Sequence, residues 1–274
     1  METTHFKKIA CVSLALLLLM MGVGCKKMSP VEEKETDTTA ARDDAESQSV
    51  FSGIWKQVAE VGENFKILNG SCTKVTITPL DTITWPKTVV IDFGSVNCLG
   101  FDGVYRRGII TAKFSGRYRK AGTVIESTLT NFYHNNNLVQ GTQTITNNGL
   151  NSGGNITYTV VVNNASVTTT KGVMTWSTQQ TREWIMGATT PYNTLDDVYL
   201  INGTTNGVGL NGNSYNIMIT LPLRVETNCR WIVSGVLALK SAKNLPLLLN
   251  YGEGTCDNSA TATINGKTHL ITLY

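Results

Sequence analysis

Alternation of polar and apolar residues is the feature of this chain that most limits its fold. In one such run, Thr111, Lys113 and Ser115 alternate with Ala112 and Phe114. A period of two matches a strand with one buried and one exposed face. Asn, Thr and Gly are heavily used beyond residue 50, which favours strands and tight turns over helices. The sequence therefore predicts an antiparallel all-β domain, built as a sandwich or as a long curled sheet.

Short turn signals between the apolar runs predict how the strands are connected. They occur at Asn135-Asn136-Asn137, Asn163-Asn164, Lys171-Gly172 and Asn265-Gly266. Each has the composition of a tight hairpin turn. We therefore expect about a dozen or more strands, joined mainly as a meander.

A repeated segment is the strongest internal signal. Residues 90–94 (Val-Ile-Asp-Phe-Gly) and 248–252 (Leu-Leu-Asn-Tyr-Gly) are each followed four positions later by a cysteine. Ten residues after that cysteine comes a glycine, Gly108 or Gly266, and then an alternating strand. We interpret this as a duplicated cysteine module. Its two copies cover about residues 72–114 and 229–274.

Four cysteines belong to these modules: Cys72, Cys98, Cys229 and Cys256. In an exported protein they are expected to form disulfides. The repeat favours Cys72–Cys98 and Cys229–Cys256, because each module then closes its own loop. A zinc site is the alternative, but no pair has the spacing of two to four residues typical of structural zinc. We predict neither a metal nor a cofactor.

Residues 1–24 have the pattern of an export signal. Two lysines precede an apolar run over residues 9–23, which is shorter than the roughly 20 residues of a membrane-spanning helix. Cys25 follows a small residue, as in the lipobox of bacterial lipoproteins, although Gly22 stands where leucine is usual. We predict cleavage before Cys25 and its lipidation, which would anchor the chain stably. An ordinary secretory signal is the alternative.

The chain after Cys25 divides into a tether and a folded part. Residues 25–50 carry seven acidic and four basic side chains and few large apolar ones, which predicts a flexible tether. Residues 51–274 are expected to fold. Ile54 and Val58, with their neighbours at helical spacing, predict one short helix over about residues 51–66.

Basic residues in and beside one predicted strand form a candidate binding face. Alternation places Lys113, Arg117 and Arg119 on one side, where they could contact anionic sugars or lipid headgroups. A solvated face that prevents edge aggregation is the alternative. Beyond residue 50, seventeen basic and twelve acidic residues permit an anionic partner without indicating nucleic acid. The full candidate set is Arg106, Arg107, Lys113, Arg117, Arg119 and Lys120.

Catalytic motifs are missing from the sequence. The chain after Cys25 has two histidines, His134 and His269, and lacks the common hydrolase and phosphate-binding motifs. We therefore predict a binding or structural role. A carbohydrate-active enzyme with a carboxylate pair is the alternative, and a calcium site would use the same residue type. The candidate carboxylates are Asp92, Asp102, Asp196 and Asp197.

Several segments resemble a family of predicted Bacteroidota cell-envelope lipoproteins. They are the lipobox-like start and residues 91–98, 131–147 and 251–258. The resemblance covers most of residues 70–274. It implies an envelope location, with the membrane as a partner through the lipid anchor, and it transfers no catalytic residue. We expect the chain at the outer membrane, on either its surface or periplasmic side, with a glycan, a lipid headgroup or an envelope protein as further partner.

Overall fold

The computed structural model describes residues 39–64, 72–191 and 193–273. They belong to one compact unit, Lys34–Tyr274, which contains every described helix, strand and disulfide. We therefore expect residues 34–274 to fold without the preceding segment. The elements are α1 (Thr39–Asn64), β1 (Lys74–Thr78), β2 (Lys87–Asp92), β3 (Cys98–Leu99), β4 (Tyr105–Phe114), β5 (Val124–His134), β6 (Asn137–Leu150), β7 (Ile156–Thr169), β8 (Gly172–Met186), a 3-10 helix (Thr194–Asp196), β9 (Val198–Val208), β10 (Ser214–Glu226), β11 (Ile232–Ser241), β12 (Leu247–Glu253), β13 (Ser259–Ile264) and β14 (Lys267–Thr272).

The strands form one antiparallel sheet of fourteen strands in meander order. The short β3 pairs only with β4 and lies outside the main order of strands. The other strands pair in the order in which they follow one another in the sequence, so β2 pairs with β4. The sheet is open, and β1 and β14 are its ends. The all-β prediction is confirmed, and of the two architectures left open the long sheet is the one formed.

Bulges interrupt the pairing and bend the strands. Gly108 has φ +87°, and a Cβ there would lie 2.0 Å from the carbonyl oxygen of Asn131 on β5. Gly141 faces a second bulge in β7, where Asn164 has φ +50°. The hairpin predicted at Asn163-Asn164 is therefore wrong, because β7 continues through it. Bulges of this kind increase the twist and coiling of a sheet.

The inner face of the sheet packs around α1. Strands β1 to β9 share one hydrophobic cluster with Ile54, Trp55 and Val58 of the helix, and β9 to β14 form a second cluster with Ala41. The Trp55 ring meets Tyr158 edge-on at 5.2 Å. Because one helix contacts strands from both ends of the meander, the sheet curls around it.

The boundary predicted between tether and helix is wrong. Residues 39–50 are helical, so α1 has 26 residues and is not short. Their buried positions include Asp44, Ser47 and Val50, so the packed face is partly polar and gives no hydrophobic signal. The backbone N–H of Leu210 donates to the Asp43 carboxylate at 2.9 Å, which ties this part of α1 to the loop after β9.

The predicted disulfides are present in both modules. Cys72 is bonded to Cys98 and Cys229 to Cys256, each with its Cα atoms 5.8 Å apart. Before the second cysteine, both modules make the same turn. The Gly94 N–H donates to Asp92 at 2.8 Å, and the equivalent Gly252 N–H donates to the Asn250 side chain at 2.9 Å.

The sequence repeat matched Gly108 with Gly266, each ten residues after a cysteine, and this match is wrong. Gly108 lies in a bulge within β4, whereas Gly266 lies in the turn between β13 and β14. In the meander, the strand of the second module that corresponds to β4 is β13, since each pairs with the strand before the disulfide loop. Each copy of the repeat therefore has three strands, one turn and one disulfide, and the later glycine is not part of it.

Candidate functional site

A groove of about 770 Å³ lies between α1 and the strand ends of the two cysteine modules. We call it the inner groove. It is lined by α1 residues from 45 to 63, by the loop at 99–104 and by residues from 223 to 232, and Cys72, Cys98 and Cys229 border it. Its volume falls in the range of about 300–1,000 Å³ typical of ligand sites.

An ion pair is built into one wall of the inner groove. Two nitrogens of the buried Arg106 guanidinium donate to the two Asp102 oxygens at 2.9 and 2.6 Å. Burial favours a raised pKa for Asp102, but the hydrogen bonds and charge of Arg106 hold that pKa below its usual value. Any Cβ at Gly100 would lie 2.6 Å from an Asp102 oxygen, so glycine leaves room for the pair.

Three donors line the inner groove without a carboxylate partner among the described residues. Within the described ranges, Lys56 Nζ donates to one acceptor, the Thr227 carbonyl, at 3.5 Å. Burial lowers the pKa of Lys56, and the nearby Arg106 and Arg182 lower it further against the opposing effect of Asp102. The Arg230 guanidinium lies 5.8 Å from the Trp231 ring and is exposed. Trp231 Nε1 is buried and has no acceptor in the part of the chain that the structure describes.

His134 lies in the same groove at the end of β5. Its ring is buried, and burial lowers its pKa to about 4, with further lowering by the charges of Arg106 and Arg230. The imidazole is therefore neutral at neutral pH and adds no charge to the groove. No role for this histidine could be predicted from the sequence.

Exposed apolar side chains surround the entrance. Leu99, Phe101 and Leu195 line the groove, and 55%, 104% and 64% of their surface is accessible to solvent. Phe101 is held out by a tight loop in which the Gly100 N–H donates to the Val104 carbonyl at 2.9 Å. Exposed apolar groups beside a cavity are characteristic of binding sites.

The predicted cationic face is not one surface. Arg106 points into the inner groove, whereas Arg107 stacks 3.6 Å from the Tyr133 ring. Arg119 pairs with Glu63 of α1 at 2.7 Å, so it does not share a face with Lys113. The reason is that β4 ends at Phe114, and strand alternation does not continue beyond it.

The remaining basic candidates are exposed. Lys113 lies opposite Glu126 on β5, and Arg117 and Lys120 lie in the turn after β4. Arg117 and Arg119 border a second cavity of about 500 Å³. Its other basic residue, Lys87, lies 3.9 Å from an Asp81 oxygen, so this cavity has fewer unpaired donors than the inner groove.

The candidate carboxylates have local structural partners. Asp92 accepts from the Gly94 N–H, and Asp102 from Arg106. The two other aspartates lie side by side before β9: Asp196 accepts from Thr190 Oγ1 and Asp197 from Trp184 Nε1. Burial raises the pKa of Asp197 to about 6. Within the described ranges, no group of three His, Cys, Asp or Glu residues could hold a metal ion.

The comparisons with known proteins give no identification. No protein-family model matches the chain, and no curated protein and no solved structure matches it. None of the helices in the described part is long and apolar enough to cross a membrane. The predicted lipidation site, Cys25, lies outside the described residues.

Proposed function

We propose that this chain is a cell-envelope lipoprotein, anchored through Cys25 at the outer membrane, that acts by binding a ligand in the inner groove. The observation that carries the proposal is a cavity of ligand size lined by the buried Trp231 Nε1, which has no acceptor among the described residues, and by Lys56 and Arg230, which form no ion pair with any described residue. Protein interiors rarely leave donors without acceptors. A ligand with hydrogen-bond acceptors would accept from these donors.

Binding is favoured over catalysis by the state of the charged groups. A general acid or base must be free to exchange a proton with its substrate. Asp102 is held by Arg106, and Asp197 accepts from Trp184 and, at 3.5 Å, from Tyr199. The carboxylate pair of the enzyme alternative therefore gains no support from these residues.

As a binding site, the inner groove is favoured over the outer face of β4 by its shape and by its polar groups. Lys113 is a single exposed charge opposite Glu126, and exposed charges of this kind contribute little to affinity. The groove combines concavity, apolar walls and convergent polar groups, as ligand sites do.

A glycan and lipid array with residues 34–274 tests the proposal. Val225 lines the groove and is half-buried, so Val225→Trp should obstruct part of it and reduce the binding signal. The matched control is Val173→Trp on β8, which is 49% exposed and lies outside the groove. Its binding should stay unchanged. No bound ligand, or equal loss in both variants at equal melting temperature, would contradict the groove as the site.

A further inference from the structure

We infer that the ligand of the inner groove is a single-chain amphiphile with an anionic headgroup, such as a fatty acid or a lysophospholipid. The inference rests on the proposed function and names its ligand class. Two observations support it. Lys56 and Arg230 line the groove without a carboxylate partner among the described residues, and apolar side chains also line it.

The headgroup is specified by two cations of the groove wall that have no carboxylate partner among the described residues. Lys56 and Arg230 each carry a positive charge, and neither forms an ion pair with any described residue. Glu60 lies one helical turn after Lys56 but is exposed and does not pair with it. Charge-assisted hydrogen bonds to a carboxylate or phosphate would satisfy these donors in a partly desolvated site.

The groove's own carboxylates do not supply this negative charge. The Asp102 oxygens are taken by Arg106, and Glu63 is paired with Arg119. Asp197 accepts hydrogen bonds from Trp184 Nε1 and from the Tyr199 hydroxyl. The two lining cations without a carboxylate partner among the described residues, Lys56 and Arg230, therefore favour an anionic headgroup over a neutral glycan, which brings no charge to them.

The tail is specified by the apolar wall. Val225, Trp231 and Ile232 line the groove and pack against the second hydrophobic cluster, so an alkyl chain laid on them would extend that cluster. Leu99 and Phe101 continue the apolar surface to the entrance. Each methylene that leaves water adds to the affinity.

Ligands that share an acyl chain but differ in headgroup test the inference. The fragment 34–274 is titrated with oleate, oleoyl lysophosphatidylglycerol and the neutral 1-monooleoylglycerol, each below its micelle concentration. Displacement of the fluorescent fatty acid cis-parinaric acid reports binding. We expect both anionic ligands to bind at least about tenfold more tightly than the neutral one, as expected for hydrogen bonds to charged groups. Comparing the affinities of oleate and the lysophospholipid distinguishes a preference for a carboxylate headgroup from a preference for a phosphate.

A paired set of variants locates the headgroup. Lys56→Gln with Arg230→Gln should weaken the anionic ligands about 10- to 100-fold and leave the neutral one unchanged. The control, Lys113→Gln with Lys240→Gln, removes the same charge from exposed positions outside the groove and should change affinity less than about twofold. Thermal melts confirm that each variant is folded.

The outcomes separate the inference from the proposed function. Equal affinity for the neutral ligand, or unchanged oleate binding by the groove variant, would overturn the anionic headgroup. Binding of a sugar but of no amphiphile, with sensitivity to Val225→Trp, would overturn the ligand class and leave the groove as the binding site. Failure of every ligand would overturn both.

Discussion

Asp44 is a carboxyl group buried on α1, with no cationic partner among the described residues. Only 1% of the residue is exposed, and neither oxygen has a hydrogen bond of normal geometry within the described residues. Burial raises its pKa from 3.8 to about 7. Gln48 one turn away lowers the pKa in part, and the adjacent Asp43 raises it. The buried Tyr251 hydroxyl, whose pKa the charge of Asp44 helps to raise, also has no hydrogen-bond partner among the described residues.

This pKa makes stability fall as pH rises. Between about pH 4 and 7 the folded state binds a proton at Asp44 that the unfolded state does not, so the free energy of unfolding declines across that window. We expect Asp44→Asn to remove about 2–4 kcal/mol of that decline and to be more stable than the parent chain at pH 8. Urea unfolding from pH 4 to pH 8 measures it.

A matched variant isolates the effect. Glu126→Gln changes an exposed carboxylate on β5 and should leave the pH dependence as it is in the parent chain. Other groups also titrate in this window, Asp197 and His134 among them, so the difference between variant and parent is the quantity to compare. If the free energy of unfolding depended on pH in the same way for the parent and for Asp44→Asn, Asp44 would be solvated in the folded state.

At the scale of elements, α1 shows what hydrophobic periodicity can and cannot detect. Ile54, Val58 and Val61 repeat at helical spacing, so this half of the helix could be predicted. The first half buries Ser47 and two aspartates on the sheet, and its acidic composition is also that of a disordered tether. Only the sheet reveals that these polar side chains are buried.

The first half of α1 should be required for stability. A fragment of residues 51–274 lacks Ala41 and Val50, which are 1% exposed, and the Asp43–Leu210 hydrogen bond. Burying one such apolar side chain contributes about 1.5–3 kcal/mol, so we expect this fragment to unfold at lower urea than the fragment 34–274. Circular dichroism during urea titration measures the two midpoints. Equal midpoints would show that residues 34–50 act only as a tether.

At the scale of the whole molecule, alternation and turn chemistry could predict an all-β meander, and the repeated cysteine spacing could predict both disulfides. They could not choose between a sandwich and a curled sheet, because curling depends on bulges such as those at Gly108 and Gly141. The same left-handed geometry at Asn164 gave a false hairpin signal. Local sequence looks alike in a bulge and in a turn.

The inner groove could not be predicted, because its residues are far apart in the chain. Lys56 of α1 meets the carbonyl of Thr227, 171 positions away. Arg106 was a candidate for its charge, but its partner and its inward orientation follow from the loop at 99–104. The sequence contains no signal that joins these segments.

Anchoring through Cys25 is a prediction for the full chain. Expressed in a Gram-negative host, the parent protein should partition into the detergent phase because it carries acyl chains. Cys25→Ala should move it to the aqueous phase. Cys11→Ala, which changes the other cysteine of the signal region, serves as the control and should partition like the parent. Identical partitioning of the parent and Cys25→Ala would rule out lipidation at this residue.

Hydrogen–deuterium exchange with bound oleate tests the central claim most directly, since it locates the ligand on the fold. For the fragment 34–274 we expect slower exchange in the loop at 99–104 and at residues 227–231, which border the inner groove. The variant Lys56→Gln with Arg230→Gln should lose that protection at the same oleate concentration. Protection confined to the outer face around Lys113, with none in the groove segments, would contradict the account.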